Sequence, residues 1–196
     1  MVRTRTTHTV ALFGCVLLLA SAATLAQKAE QSKPIETFTC FAASLGTGKA
    51  SIVEIAIYRW STDEERERLL TTLQEFGQDK LLAELEKIRP PVGYMRTPNS
   101  IGYDLYYARN NPMPDGSRKV VLATNRRVSF REASNNTRSM QYQFTLIEIH
   151  IDKNGKGEGK LVPAAKVSWD AKEKKIEIEN YNALPLDLIN VTAKTS

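Results

Sequence analysis

The chain has 196 residues, 27 Lys and Arg against 22 Asp and Glu, and only two Cys and two His. A net charge of +5 spread along the whole length supports solubility and weak attraction to anionic surfaces, but is too diffuse for a nucleic-acid footprint. So few cysteines exclude a disulfide-built scaffold, and so few histidines exclude a multi-histidine zinc site.

The N-terminus reads as an export signal. Arg3 and Arg5 form a positive n-region, an apolar h-region runs from Val10 to about Leu19, and small residues follow to Ala26. Thr24 and Ala26 suit the −3 and −1 positions, which makes residues 1–26 a cleaved signal peptide and Gln27 the first mature residue. A transmembrane anchor needs about 20 consecutive apolar residues, and this run is shorter. Leu12-Phe13-Gly14-Cys15 loosely resembles a lipobox, but Phe13 is bulky and apolar residues continue past Cys15. Cleavage removes His8 and Cys15, leaves Cys40 and His150 as the last of their kinds, and leaves about 170 residues with no transmembrane segment, enough for one core. The expected location is secreted or periplasmic.

Residues 27–36 are polar and read as a flexible lead-in to a single β-rich domain over residues 37–196. Phe38–Ala43 and Ala50–Trp60 form an opening hairpin about the turn Ser44-Leu45-Gly46-Thr47-Gly48. Helices are expected near 62–76 and 78–88. Ser61 with Glu64 makes a capping box, and apolar residues recur at Leu69, Leu70, Leu73 and Phe76, then at Leu81, Leu82, Leu85 and Ile88. The two stripes face one core only if the helix breaks at Gly77, and Pro90-Pro91 stops the second helix. Strands follow at Gly93–Arg96, Tyr103–Arg109, Lys119–Thr124 and Arg127–Arg131, with a loop over residues 132–139.

From Tyr142 onward alternation dominates. Ile147, Ile149 and Ile151 share one face, Glu148, His150 and Asp152 the other, and Leu146 breaks the rhythm. KNGKGEG, residues 153–159, reads as a turn, KLVPAAKVSWD as a strand, AKEK as a turn, and KIEIENYN and LPLDLINV as strands. In the first of those last two, Ile176 and Ile178 oppose Glu177 and Glu179. The fold class is α+β, mainly an antiparallel β-sandwich or barrel of about nine to ten strands with an inserted helix pair.

Candidate chemistry is sparse. Gly46-Thr47-Gly48-Lys49 lacks the upstream Gly and the following Ser or Thr of a phosphate loop, and reads as a hairpin turn. Asp152-Lys153-Asn154-Gly155-Lys156-Gly157 begins like a calcium loop, but Lys156 and Pro163 occupy ligand positions, so no metal or cofactor is expected. Glu148, His150 and Asp152 could tune one imidazole, and Cys40 with His150 could form a nucleophilic pair, but Cys40 sits in an apolar strand where thiols are inert. The binding candidates are Tyr103, Tyr106, Tyr107, Arg109, Arg126, Arg127 and His150, a basic-aromatic sheet face suited to stacking plus charge. Asn135-Asn136-Thr137 and Asn190-Val191-Thr192 are glycosylation sequons.

The combination of RWSTDEER at residues 59–66, VLATNR at 121–126, FTLIE at 144–148 and GEGKL at 157–161 resembles a group of small exported bacterial proteins that carry no functional description. That resemblance implies bacterial export and transfers no site residue. Two functions are expected: an exported, non-catalytic binding protein holding a small apolar or amphipathic ligand inside the sheet, or an interaction module meeting an envelope protein, glycan or membrane through the basic-aromatic face. An enzyme using the acids around His150 is the third reading.

Overall fold

The computed structural model describes residues 33–43, 50–98, 101–125, 141–181 and 185–196. The signal peptide, the lead-in before Lys33, the Gly46–Lys49 turn, Arg126 and Arg127, the expected strand Arg127–Arg131, the loop over 132–139 and the Asn135 sequon lie outside the described residues.

Among the described residues, ten strands and two helices follow in the order β1 (Glu36–Ala43), β2 (Ala50–Ile57), α1 (Asp63–Phe76), α2 (Gln78–Leu85), β3 (Gly93–Arg96), β4 (Tyr103–Leu105), β5 (Tyr107–Pro112), β6 (Arg118–Asn125), β7 (Phe144–Ile151), β8 (Lys156–Asp170), β9 (Lys175–Asn180) and β10 (Leu186–Thr195). All pairings are antiparallel, and nine strands lie in the order β4-β3-β2-β1-β10-β8-β7-β6-β5, with β9 attached to β8 alone.

The two ends of that order are one stretch of chain. The expected strand Tyr103–Arg109 bends at Tyr106 into β4, which pairs with β3, and β5, which pairs with β6. The consecutive residues Leu105 and Tyr106 both bury their side chains, so inward and outward positions change parity at the bend. Ser61 supports the seam: its N–H donates to Ala108 O at 2.7 Å and its hydroxyl accepts from Ala108 N–H at 3.1 Å. The sheet is therefore a nearly closed barrel, which removes most exposed edges.

Inward positions fill it. Phe38, Cys40, Ile57, Leu105, Ala108, Val120, Leu122, Ile149, Leu188 and Val191 have 0% exposure. A void able to hold a water would leave accessible surface on the side chains around it, so these residues are packed against one another. Glu36 on β1 and Arg118 on β6 also bury side chains toward the barrel interior, from strands that face each other across three others, and form a two-point ion pair. Arg118 additionally lies over the Phe38 ring at 5.7 Å.

The helices lie across the opposite end. Asn125, the last residue of β6, donates to Glu86, while Gln78 donates to Gln141 O and Gln143 to Asp79 just before β7 begins. The chain breaks at Gly77, whose φ of 76° suits glycine, so Leu69, Leu73 and Leu85 reach one core, with Ile88 beyond the last turn. The capping box is Thr62 with Glu65, one residue later than expected, because Ser61 is committed to Ala108. Phe76, on the expected apolar stripe, is 65% exposed.

β8 departs from expectation most. It starts at Lys156, inside the stretch read as a turn, and Gly157 and Gly159 lie in the ladder opposite Ile151 and Ile149. A Cβ at either glycine would collide with the carbonyl oxygen of His150 or Glu148, so glycine here lets β7 and β8 approach closely. Further on, Phe144 pairs with Ala165 and Leu146 with Val162, which leaves Pro163 and Ala164 together opposite Thr145. This bulge falls where Leu146 breaks the alternation. Pro163 has no N–H to donate, and its carbonyl accepts the Thr145 hydroxyl at 2.8 Å. β10 pairs with β8 only as far as Leu161, and β9 takes over from Ala165, so the β8–β9 hairpin leaves the barrel as an arm.

Gly157→Ala and Gly159→Ala should each lower stability by about 1–3 kcal/mol through overpacking, whereas Lys156→Ala should stay within about 0.5 kcal/mol; urea denaturation at constant m reads both. Glu36→Gln should cost about 3–5 kcal/mol, because Arg118 is left largely buried without its counter-charge, and the same titration checks it.

Candidate functional site

Among the described residues, the sequence-derived binding candidates do not share one face. Tyr106 is 2% exposed and belongs to the core, with the Arg89 guanidinium 4.9 Å from its ring centroid. Tyr103 sits opposite the buried Met95 and points the same way, half-buried against the core. Tyr107, beyond the parity change, faces outward toward the start of α1. Burial raises its phenol pKa, with Arg109 and Arg66 acting in the other direction. Arg109 is ion-paired to Asp63 at 2.7 Å, and beside it Arg59 grips Glu65 through two bonds of 2.9 and 2.8 Å. The Arg59 hydrogen bond holds the Glu65 carboxyl below its usual range. Positive charge here is matched by the acidic first turn of α1, which leaves little to attract an anionic ligand.

His150 lies elsewhere, on the outer wall. Its Nε2 meets Glu148 Oε1 at 2.9 Å, and Lys119 reaches the same carboxylate at 3.3 Å. Burial alone would push the Glu148 carboxyl up; the His150 and Lys119 hydrogen bonds outweigh it and the net shift is downward. In register, Glu148 stands between Val121 and Lys160, and Lys160 bonds Asp187 at 2.5 Å, while His150 stands between Lys119 and Glu158. Charges thus alternate across β6, β7, β8 and β10, the arrangement that stabilises the solvated side of a sheet. Asp152, the third member of the expected acid–His–acid stripe, is drawn into the turn: its Oδ1 accepts the N–H groups of Asn154 and Lys156, each at 2.8 Å. Asn190, of the second sequon, is an exposed residue at φ 53°, where β10 bulges against β1.

Cys40 and His150 do not meet. Cys40 points into the barrel with its thiol 3.8 Å from Val53 O, and burial pushes its pKa up to about 11.

Two apolar surfaces escaped the sequence reading. Phe41 pairs with Ile52 on one side and Ile189 on the other, so the three form a row across β2, β1 and β10 on the outer wall, at 41%, 40% and 42% exposure. The second surface is the arm. Val167 opposes Ile178 and Trp169 opposes Ile176, so these four share a face. Val167 is buried at its base, but Ile178 and Ile176 are 54% and 49% exposed, and every residue of β9 is exposed. Alternation in KIEIEN was plain in the sequence; what it could not reveal is that the isoleucine face stays half-exposed at its outer strand.

The backbone of the arm completes the picture. Tyr181 N–H donates to Ala164 O at 3.0 Å, which makes positions 179, 177 and 175 the ones bonded toward β8. The N–H and C=O groups of Ile176 and Ile178 therefore point to the far side, where β9 has no strand partner among the described residues. On the other side of the arm, the equivalent group of Val167 is taken by the Gln78 side chain at 3.3 Å, in place of a strand.

Compared with protein-family models, curated proteins and solved structures, the chain matches none. Among the described residues no helix is long and apolar enough to cross a membrane.

The Cys40 thiol should resist Ellman's reagent in the folded protein and react fully in denaturant. Its folded pKa is raised from 9.0 to about 11, so the stability tied to the neutral thiol is complete below pH 9 and is lost as pH climbs toward 11. Cys40→Ala should flatten that part of the alkaline stability profile; an unchanged profile would contradict the assignment.

Proposed function

We propose that this chain is an exported, non-catalytic protein-binding module that works through its outer surface, with the β8–β9 arm as docking element. The observation that carries this reading is an edge strand, β9, whose backbone groups at Ile176 and Ile178 have no strand partner among the described residues and whose side chains there are half-exposed. Such an edge recognises an extended polypeptide: main-chain bonds supply affinity, and alternate side chains supply specificity. Neither a glycan nor a bilayer presents a matching ladder of amide donors and acceptors.

The tightly packed barrel favours this over a ligand held inside the sheet, since the inward side chains that would line such a site are pressed against each other. The matched charges at Arg109 and around His150 read as surface stabilisation. Export rests on the N-terminal pattern of Arg3, Arg5 and the apolar run that follows.

A photo-crosslinking residue placed at Ile178 in the native host should give discrete protein adducts, and one at His150 on the charged wall should not. Native mass spectrometry of the purified protein should show polypeptide mass alone. A stoichiometric small molecule that survives purification, with no adduct at Ile178, would overturn the reading in favour of an interior ligand.

A further inference from the structure

We propose that the partner of the β9 edge is a second copy of the same chain, paired antiparallel about a two-fold axis that passes through Glu177. This rests on the reading of the arm as the docking element and goes further by fixing the occupant and its register.

Parity and charge together select the register. A two-fold antiparallel pair must be centred so that each strand presents its free-edge groups to the other. Ile176 and Ile178 carry those groups. Centring on Glu177 places Ile176 opposite Ile178 of the second copy, and Ile178 opposite Ile176, as two hydrogen-bonded pairs whose side chains lie on one face. The same register sets Lys175 opposite Glu179 of the second copy, twice by symmetry, and so pairs Lys175–Glu179 of the strand with itself, leaving Asn180 opposite Lys174. Directly opposed unlike charges stabilise such a pair and like charges weaken it. The neighbouring registers are poorer. A centre on Ile178 opposes Glu177 to Glu179 twice; a centre on Ile176 opposes Lys175 to Glu177 twice, but sets each Ile178 against Lys174 and each Glu179 against Glu173, both in the turn. The chosen register has one defect, Glu177 facing its own copy on the axis, and that defect is itself a test.

The two isoleucine pairs continue inward on each arm to Trp169 and Val167, so pairing would turn two half-exposed hairpins into a four-stranded ribbon with one continuous apolar face. A hairpin alone is marginal in water, and two further strands supply what it lacks.

The experiment is sedimentation equilibrium on the mature chain across a concentration series. Wild type should dimerise reversibly. Lys175→Glu and Glu179→Lys should each weaken the dimer by about 2- to 30-fold, the range expected for two symmetric cross-strand pairs, and the double variant should recover most of that loss. Rescue cannot come from the arm itself: Lys175 faces Asp170, and Glu179 bonds Lys166 and Tyr142 within one chain, and the double variant disrupts both sets. Glu177→Gln should tighten the dimer, and if either charge reversal fails to fold it decides alone. A chain that stays monomeric at every concentration overturns the proposal, as does a dimer unaffected by Glu177→Gln or a double variant no better than the singles. If Ile178 then crosslinks to a different protein, the docking reading stands without self-pairing; if it crosslinks to nothing, both fall.

Discussion

Backbone groups along the edge of a sheet must find partners, and this chain meets that demand by making both ends of its sheet from one bent strand. Tyr106 is the pivot. Its own N–H donates to Ala123 O on β6, while Leu105, one residue before it, is paired through β4 to Gly93 on β3. Ser61 closes the gap that a bend must open, since a single residue supplies both a donor and an acceptor to Ala108. That commitment moves the helix cap to Thr62 and brings the acidic first turn of α1 against Arg109. Closure, capping and charge pairing at this corner are one arrangement.

Closure also decides where the molecule remains unfinished. Ten strands are more than the barrel takes up, because Pro163 interrupts β8 and the strand continues outside it. The arm is anchored at its base by Val167 in the core and by the Gln78 side chain, and the outer edge of β9 has no strand partner among the described residues. Natural edges are blunted by charge, and Lys175, Glu177 and Glu179 supply it on one face. The other face carries Ile176 and Ile178 into solvent, so protection is only half complete.

The titratable residues follow the same logic. Glu36 and Arg118 are inward-facing and neutralise each other across the barrel, whereas Glu148, Lys119, His150, Lys160 and Asp187 are outward-facing and pair along the strand rows. Cys40 is inward, and its thiol is held neutral by burial. Position in the pleat, more than residue type, sets what each group can do.

The sequence by itself determined the local elements. Period-two alternation marked β7 and β9, period-3.6 stripes broken at Gly77 marked α1 and α2, and the AKEK turn was visible between β8 and β9, because these signals lie within a few residues and obey backbone geometry alone. Tertiary structure decided the rest. Gly157 and Gly159 look like turn residues until β7 is seen to crowd them, Tyr106 looks like a surface aromatic until the bend turns it inward, and Arg109 looks free until Asp63 arrives from α1. The row Ile52–Phe41–Ile189 joins three strands by register, and the exposure of Ile176 and Ile178 depends on which layer fails to cover them. A sequence pattern states that a face is apolar; only the packing of distant segments states whether anything is pressed against it.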